Sequence, residues 1–325
     1  MELYTDTRQV PHVGGGNLVA VGKWDGVHLA HQAIIAALVR EARRSDGQSV
    51  VMGFHPLPMT MLRPDAAPPM LQSLEERAET LAAMGVDVHL AVPFDRAFAD
   101  LSPEEFVRDV LLRDLKARHV MVGFNFTFGR GGAGTAATLQ AICARHDIPV
   151  TIFPPVRVNG ETVSSTEVRF AVAEGEMAQA AAFLGRPFAV TGEVVQGEQR
   201  GRTIGYPTAN VSLPERRQLP PIGVYVAKVT VLADASARTG THVTLRTGES
   251  YGAMLNLGMR PTFQGADLRC EAHLFDYHGD LYGRTLKVEF LHRLRGERPF
   301  AGIDALKAQL AVDEQAARAY LLHHE

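Results

Sequence analysis

Several features that would announce a function at a glance are missing from this chain of 325 residues. Cysteine is scarce: Cys143 and Cys270 stand far apart, with no metal-ligand spacing. That excludes a disulfide scaffold and a cysteine-built zinc site, and it fits a reducing compartment. Long apolar runs are missing too. The most apolar, Ala33 to Val39, falls far short of the roughly 20 residues of a membrane span. The opening Met1-Glu2-Leu3-Tyr4-Thr5-Asp6 has no basic region followed by an apolar stretch, so no signal peptide is expected. Nor does one sign of charge dominate. A formal net charge of −3 argues against a nucleic-acid backbone or an anionic membrane as the main partner. What is present is an ordinary globular composition, 46% hydrophobic and 21% charged, and enough length for roughly two domains. A cytoplasmic enzyme is the expectation.

The first half alternates short apolar runs with helical patterns. Leu18–Gly22, Ser49–Phe54, Asp87–Val92, His119–Gly123 and Pro149–Phe153 read as strands buried on both faces, as in a parallel sheet. Ser73 with Glu76 forms a capping-box pattern, and Ser102-Pro103-Glu104-Glu105 places proline at a first helical position. This alternation predicts a doubly wound α/β domain. The pattern changes near Gly185-Arg186-Pro187. Strand-like runs follow at Ala189–Gln196, Val224–Leu232, Gly252–Leu257, Glu271–Tyr277 and Leu286–Leu291, then a helical pattern over Ile303–Leu322. A small antiparallel barrel with a C-terminal helix is expected, with the boundary between 1–186 and 187–325. The stretch Ala233–Gly248 reads only as a variable hairpin.

Two groups of residues carry chemistry. In AVGKWDGVHLAHQ, a strand ends at Gly22, a turn holds Asp25-Gly26, and a helix starts around His28–His31. Two imidazoles three residues apart at a helix N-terminus make a site for a polyphosphate, which they and the unpaired N–H groups would bind. Asn125 follows another strand end before the glycine-rich loop Gly129–Gly134, and Val163-Ser164-Ser165-Thr166-Glu167-Val168-Arg169 gathers hydroxyls and an arginine at a helix start. In the second half, Gly197, Gly201 and Gly205 with Arg200 and Arg202 point to a backbone flap close to a ligand. Thr208 and Asn210, two apart in an extended segment, share one face and offer two neutral oxygens that suit Mg²⁺.

These segments resemble the prokaryotic bifunctional riboflavin kinase/FAD synthetase family. The N-terminal half is similar to its FMN adenylyltransferase module, of the nucleotidylyltransferases with a His-x-Gly-His signature. Leu74-Glu75-Glu76-Arg77, Pro93-Phe94 and Ser102-Pro103-Glu104-Glu105-Phe106 extend that likeness. The C-terminal half resembles the riboflavin kinase signature at Gly205-Tyr206-Pro207-Thr208-Ala209-Asn210, with Asn256–Thr262, Glu271-Ala272-His273, Asp280–Gly283 and Leu294–Phe300 as further blocks.

The resemblance implies a Rossmann-like nucleotidylyltransferase domain followed by a Greek-key barrel kinase domain. It implies that Gly22, Asp25, His28, His31 and Asn125 face the nucleotide of the first domain, while Ser164, Ser165, Thr166 and Arg169 grip pyrophosphate. In the second domain it implies Glu271 as general base and Gly201, Arg202, Gly205, Pro207, Thr208 and Asn210 at the nucleotide. Thr208 and Asn210 hold Mg²⁺, and Asn256, Gly258, Arg260 and Arg295 take the flavin. Substrates are then ATP, riboflavin and FMN, with self-association left open.

Three departures stand out: Ala30 replaces the glycine between the histidines, Leu57 replaces the histidine of Phe-x-Pro-His-Pro, and Lys23 sits where the family has a small or polar residue. One alternative is therefore a riboflavin kinase whose first domain is impaired by Ala30 and Leu57. A flavin-binding regulatory protein that keeps both folds is another, against which the intact Thr208, Asn210 and Glu271 argue.

Overall fold

The computed structural model describes residues 1–197, 201, 204–233, 238–262 and 265–324, with the backbone alone at 238–239, 260–262 and 265–267. The chain forms two compact units, Met1–Ser164 with Ser236–Leu245, and Ser165–Ala235 with Arg246–Glu325.

In the first unit, β1 (Glu2–Tyr4), β2 (Asn17–Val21), β3 (Gln48–Phe54), β4 (Val88–Val92), β5 (Ala117–Gly123) and β6 (Val150–Phe153) run parallel in the order β1-β4-β3-β2-β5-β6. The unbroken apolar runs are explained by burial: every residue of β2 and β4 is inside. Two separate apolar clusters fill the sheet's two sides. Helix α1 (Leu29–Arg44) contributes Ile34, Ile35, Leu38, Val39 and Ala42, the spacing of a single apolar stripe. Helix α2 (Leu74–Ala83) begins with the expected capping box, in which Ser73 N–H donates to Glu76 Oε2 and Glu76 N–H to Ser73 Oγ, and α3 (Ala136–Ala144) lies between β5 and β6 in the chain.

The stretch 233–248 does more than its pattern announced. Arg238–Thr239 and His242–Val243 form a hairpin that extends the sheet of the first unit, pairing antiparallel with β1 at Glu2 and His242. Val243 packs with Leu3, Ala78 and Ala91.

In the second unit, α4 (Ser165–Glu174) and α5 (Met177–Leu184) precede the barrel, and α5 ends at Gly185 with φ +67°, the left-handed stop that glycine adopts without strain. Strands β7 (Phe188–Val195), β8 (Ala209–Val211), β9 (Gly223–Leu232), β10 (Gly248–Thr262), β11 (Gly265–Leu274) and β12 (Thr285–Arg295) close a barrel in the order β7-β8-β11-β10-β9-β12. All its pairings are antiparallel. Strands β9 to β11 are a meander and β8 returns beside β11, which is a Greek key. Ala209, Val211, Leu255, Leu257, Cys270 and Ala272 alternate into the buried interior. Their neighbours in sequence stand on the outer face, where α6 (Ile303–His324) packs through Leu310, Ala317, Tyr320 and Leu321.

Candidate active sites

In the first unit the strand order reverses between β2 and β5, and ligands of open α/β sheets bind beyond the carboxyl ends of strands at such a point. Ala20 pairs with Met121. Gly22 and the Gly123–Asn125 turn therefore leave neighbouring strand ends, which brings together two segments a hundred residues apart. Between β2 and α1 the chain takes a tight path, with Trp24 at φ +52°, Gly26 at +85° and Val27 at +39°. Left-handed non-glycine residues cost of order 1–3 kcal/mol each and need surrounding structure to hold them. Trp24 and Val27 are both buried, and the Trp24 indole donates to Met52 O at 2.7 Å. Gly22 is required by that indole: a Cβ on Gly22 would lie 2.9 Å from the ring. Asp25, only 2% exposed, accepts from the backbone N–H groups of Leu71 and Gln72 at 3.0 and 3.2 Å, which pins the loop.

The outcome of this turn is the histidine pair. His28 caps α1, its Nδ1 accepting from the His31 backbone N–H, and the two rings stack with centroids 3.7 Å apart. Trp24 meets His31 edge-on at 5.0 Å. With Nδ1 accepting, neutral His28 carries its proton on Nε2. Asn125 is exposed in the turn after β5, and Ala30 lies half-buried on the first turn of α1. Leu57 is buried and precedes the short helix Pro58–Leu62. Lys23 is exposed.

Sequence reasoning missed what lies nearby. Arg77 is 2% exposed, donates to Lys23 O at 3.1 Å, and leaves its Nε without a partner; both ring nitrogens of wholly buried His89 are also without one. Burial, then the charges of His28 and Arg77, hold His31 well below the usual imidazole range; burial, then Arg77 and His55, do the same to His89. His31 is therefore neutral near pH 7, and the charge-assisted bond expected of it needs a bound anion to draw a proton on. A folded-state value below the unfolded one means the unfolded chain takes up protons the folded one refuses. Stability from these two groups is full above about pH 6.5 and falls below it, by up to about 1.4 kcal/mol per pH unit for each. The thermal unfolding of the first unit should shift down between pH 6.5 and 5, and His89→Leu should flatten that slope.

In the second unit, a cavity of about 610 Å³ is lined both by outward residues of the barrel and by Leu306 and Leu310 of α6. Along its floor Glu271 lies opposite Asn256, Asn256 opposite Val224 and Val224 opposite Arg295, and Asn210, which is not part of the lining, continues the row opposite Glu271. Thr208, Asn256 and Glu271 all line it. Arg269 Nη1 stands 3.5 Å from Glu271 Oε1, a long contact. Gly201 supports a turn of its own, accepting from the N–H groups of Ile204 and Tyr206, while Gly205 is at φ +89°. Sequence reasoning missed Tyr206, His273 and Phe300 at this cavity, although His273 stands two residues from Glu271 and so shares its face.

Other expectations are changed or fall elsewhere. Arg295 lines the cavity, but its guanidinium is held by Asp313 of α6 through Nε at 3.0 and 3.1 Å and Nη2 at 2.7 Å. It clamps the helix on the barrel. At Gly258 a Cβ would collide with the Glu297 carboxylate, so that glycine makes room for a side chain. Arg200, Arg202 and the side chain of Arg260 lie outside the described residues. Ser164 closes the first unit, whereas Ser165, Thr166 and Arg169 belong to α4 of the second, with Arg169 Nη1 donating to Ser165 O at 3.2 Å. Cys143 and Cys270 are buried, their thiols pushed up to about 11 and about 12 by burial, which suits packing and not nucleophilic chemistry.

The FAD synthetase family matches residues 11–167 and the riboflavin kinase family residues 184–321. A bifunctional riboflavin kinase/FMN adenylyltransferase of Escherichia coli strain K12 is 39% identical over 306 residues, 94% of this chain and 93% of that protein. One of the same name from Bacillus subtilis is 34% identical over 314 residues, 94% of this chain and 92% of that protein. A crystal structure titled a macrolide-efflux protein from Streptococcus pneumoniae superposes with a TM-score of 0.83 at 33% identity, covering 98% of this chain and 99% of that one. No helix among the described residues is long and apolar enough to cross a membrane. A parallel α/β unit and a closed barrel, each matching a phosphorus-transferring domain, define a two-domain transferase. The chain belongs to the bifunctional riboflavin kinase/FMN adenylyltransferase family.

Proposed function

We propose that the second domain, within residues 187–325, phosphorylates riboflavin with ATP, and that the first, within 1–186, adenylylates the resulting FMN. Glu271 and Asn256 lining the cavity beside Thr208, with Asn210 paired opposite Glu271, carry the kinase reading. The terminal ribityl hydroxyl is a poor nucleophile until its proton is accepted. Glu271 takes that proton as the oxygen bonds to the γ-phosphorus and the bond to ADP breaks. Thr208 and Asn210 would hold Mg²⁺. The fit is supported by their shared face, by Glu271 directly opposite Asn210, and by Gly197, where a Cβ would overlap the Asn210 amide. Two neutral oxygens suit a small hard cation that keeps its waters and phosphate ligands, and Mg²⁺ supplies neutralisation of the transferring group's charge.

In the first domain no base is needed. An FMN phosphate oxygen attacks the α-phosphorus and pyrophosphate leaves, so catalysis is alignment and charge neutralisation. We assign the phosphate contacts to His28 and His31, a contact to nucleotide or FMN to Asn125, and the pyrophosphate to Ser164, Ser165, Thr166 and Arg169. The setting is the cytoplasm, where ATP is supplied. Both family models match this chain and its relatives are named for both activities, which disfavours a kinase-only protein.

The product profile of the purified protein decides. Riboflavin with MgATP should give FMN and then FAD, and FMN with MgATP should give FAD and pyrophosphate. FMN accumulating without FAD would reinstate the kinase-only alternative. Ala30→Gly should preserve or raise FAD formation and leave FMN formation unchanged.

A further inference from the structure

We propose that His273 is a positioning residue of the kinase site, fixing the Pro207–Thr208 segment against the strand that carries Glu271. This rests on the riboflavin kinase reading of the cavity. The paired part of β8 against β11 begins at Ala209 opposite Ala272, so Pro207 and Thr208 lie just beyond the ladder. Proline has no N–H to give such a ladder. The turn upstream does not tie them down, since Gly201 accepts from Ile204 and Tyr206 within the loop itself. The His273 side chain supplies the missing link: its Nδ1 stands 2.8 Å from Pro207 O.

A carbonyl only accepts, so the proton of this bond resides on Nδ1, and in the neutral ring Nε2 keeps the lone pair. The plane of the ring is set by its neighbours, Tyr206 edge-on at 5.3 Å and Phe275 at 5.9 Å. Glu271, two residues earlier on β11, pairs with Asn210. One strand thus holds the segment at two points, Asn210 by register and Pro207 by the imidazole, with Thr208 between them. Moving either anchor moves the hydroxyl of Thr208 relative to the carboxylate of Glu271. His273 itself need touch no reacting atom.

The test uses the full chain. In protein labelled with ¹⁵N-histidine, long-range ¹H–¹⁵N spectra, with signals identified by loss in H273N, should show the Nδ1–H tautomer; an Nε2–H tautomer overturns the proposal. His273→Asn keeps an amide N–H near the place of Nδ1, His273→Gln carries it outward toward that of Nε2, and His273→Phe keeps the ring contacts without a donor. Binding of ADP is measured calorimetrically with and without Mg²⁺. Loss of one hydrogen bond of this kind is worth about 10-fold. H273F and H273Q should therefore lose roughly that much of the gain in ADP affinity conferred by Mg²⁺, and H273N should keep most of it. In FMN formation, kcat should follow the same order, with the KM for riboflavin within about 2-fold of wild type.

Equal losses in all three variants, or a rise in riboflavin KM alone, would overturn the positioning role. If H273F unfolds, as circular dichroism would report, the H273N and H273Q pair with the tautomer decides. Wild-type protein that makes no FMN would sink the kinase reading itself, a separate outcome.

Discussion

Glu271→Gln lowers the rate of FMN formation by about 10²–10⁴ while FAD formation from supplied FMN continues at the wild-type rate. The amide keeps the volume of the carboxylate and its place opposite Asn210 and Asn256, so ADP and riboflavin should still bind. Only acceptance of the hydroxyl proton is lost. The measurement is single-turnover FMN formation beside equilibrium binding of riboflavin. A large fall in kcat with unchanged affinity marks an interaction made in the transition state. Full activity in the glutamine variant would remove Glu271 from catalysis and, with it, the strongest argument against a merely flavin-binding protein.

The second large effect concerns the lid of the same cavity. Asp313 is 3% exposed and receives three hydrogen bonds from Arg295 and one from Gln309 at 2.6 Å. Asp313→Ala leaves the Arg295 charge in a half-buried place with its main partner gone, and such a loss costs about 3–5 kcal/mol. Helix α6 should loosen from the barrel, with a lowered unfolding transition of the second unit and loss of FMN formation, and the first unit's transition unmoved. The double variant Arg295→Met with Asp313→Leu replaces the pair by apolar groups and should recover most of the stability. Recovery of stability without recovery of FMN formation would point to a direct role for Arg295 at the flavin.

The sequence made the sheet of the first unit legible because its strands are buried on both faces and show no alternation that turns or bulges interrupt. It pointed to the candidate kinase site through short motifs, such as Thr208 and Asn210 two apart in an extended segment. Three things escaped. Strands β10 and β11 run well past the expected segments because Gly258 and Pro261 read as interruptions, although the register holds from Ala253–Leu274 to Thr262–Gly265. The bonds that Asp25 and Arg295 make within the protein were hidden behind the ligand contacts their chemistry suggests. A buried carboxylate serves backbone N–H groups equally well, and a guanidinium serves another carboxylate, and only distances separate these uses. Arg77 and His89 escaped because a polar residue on a core-facing position leaves no periodic trace when its neighbours are apolar.

The hairpin of residues 238–243 has a practical consequence for taking this molecule apart. A fragment cut after residue 186 forfeits the outermost ribbon of its own sheet. Leu3 then loses Val243, and β1 bares a row of unanswered amides and carbonyls to any strand that drifts past. Such a piece should cluster with itself, whereas co-expression with a peptide spanning 236–245 should keep it dispersed. Sequence order and structural ownership part company here: ten residues encoded with the kinase are spent finishing its neighbour.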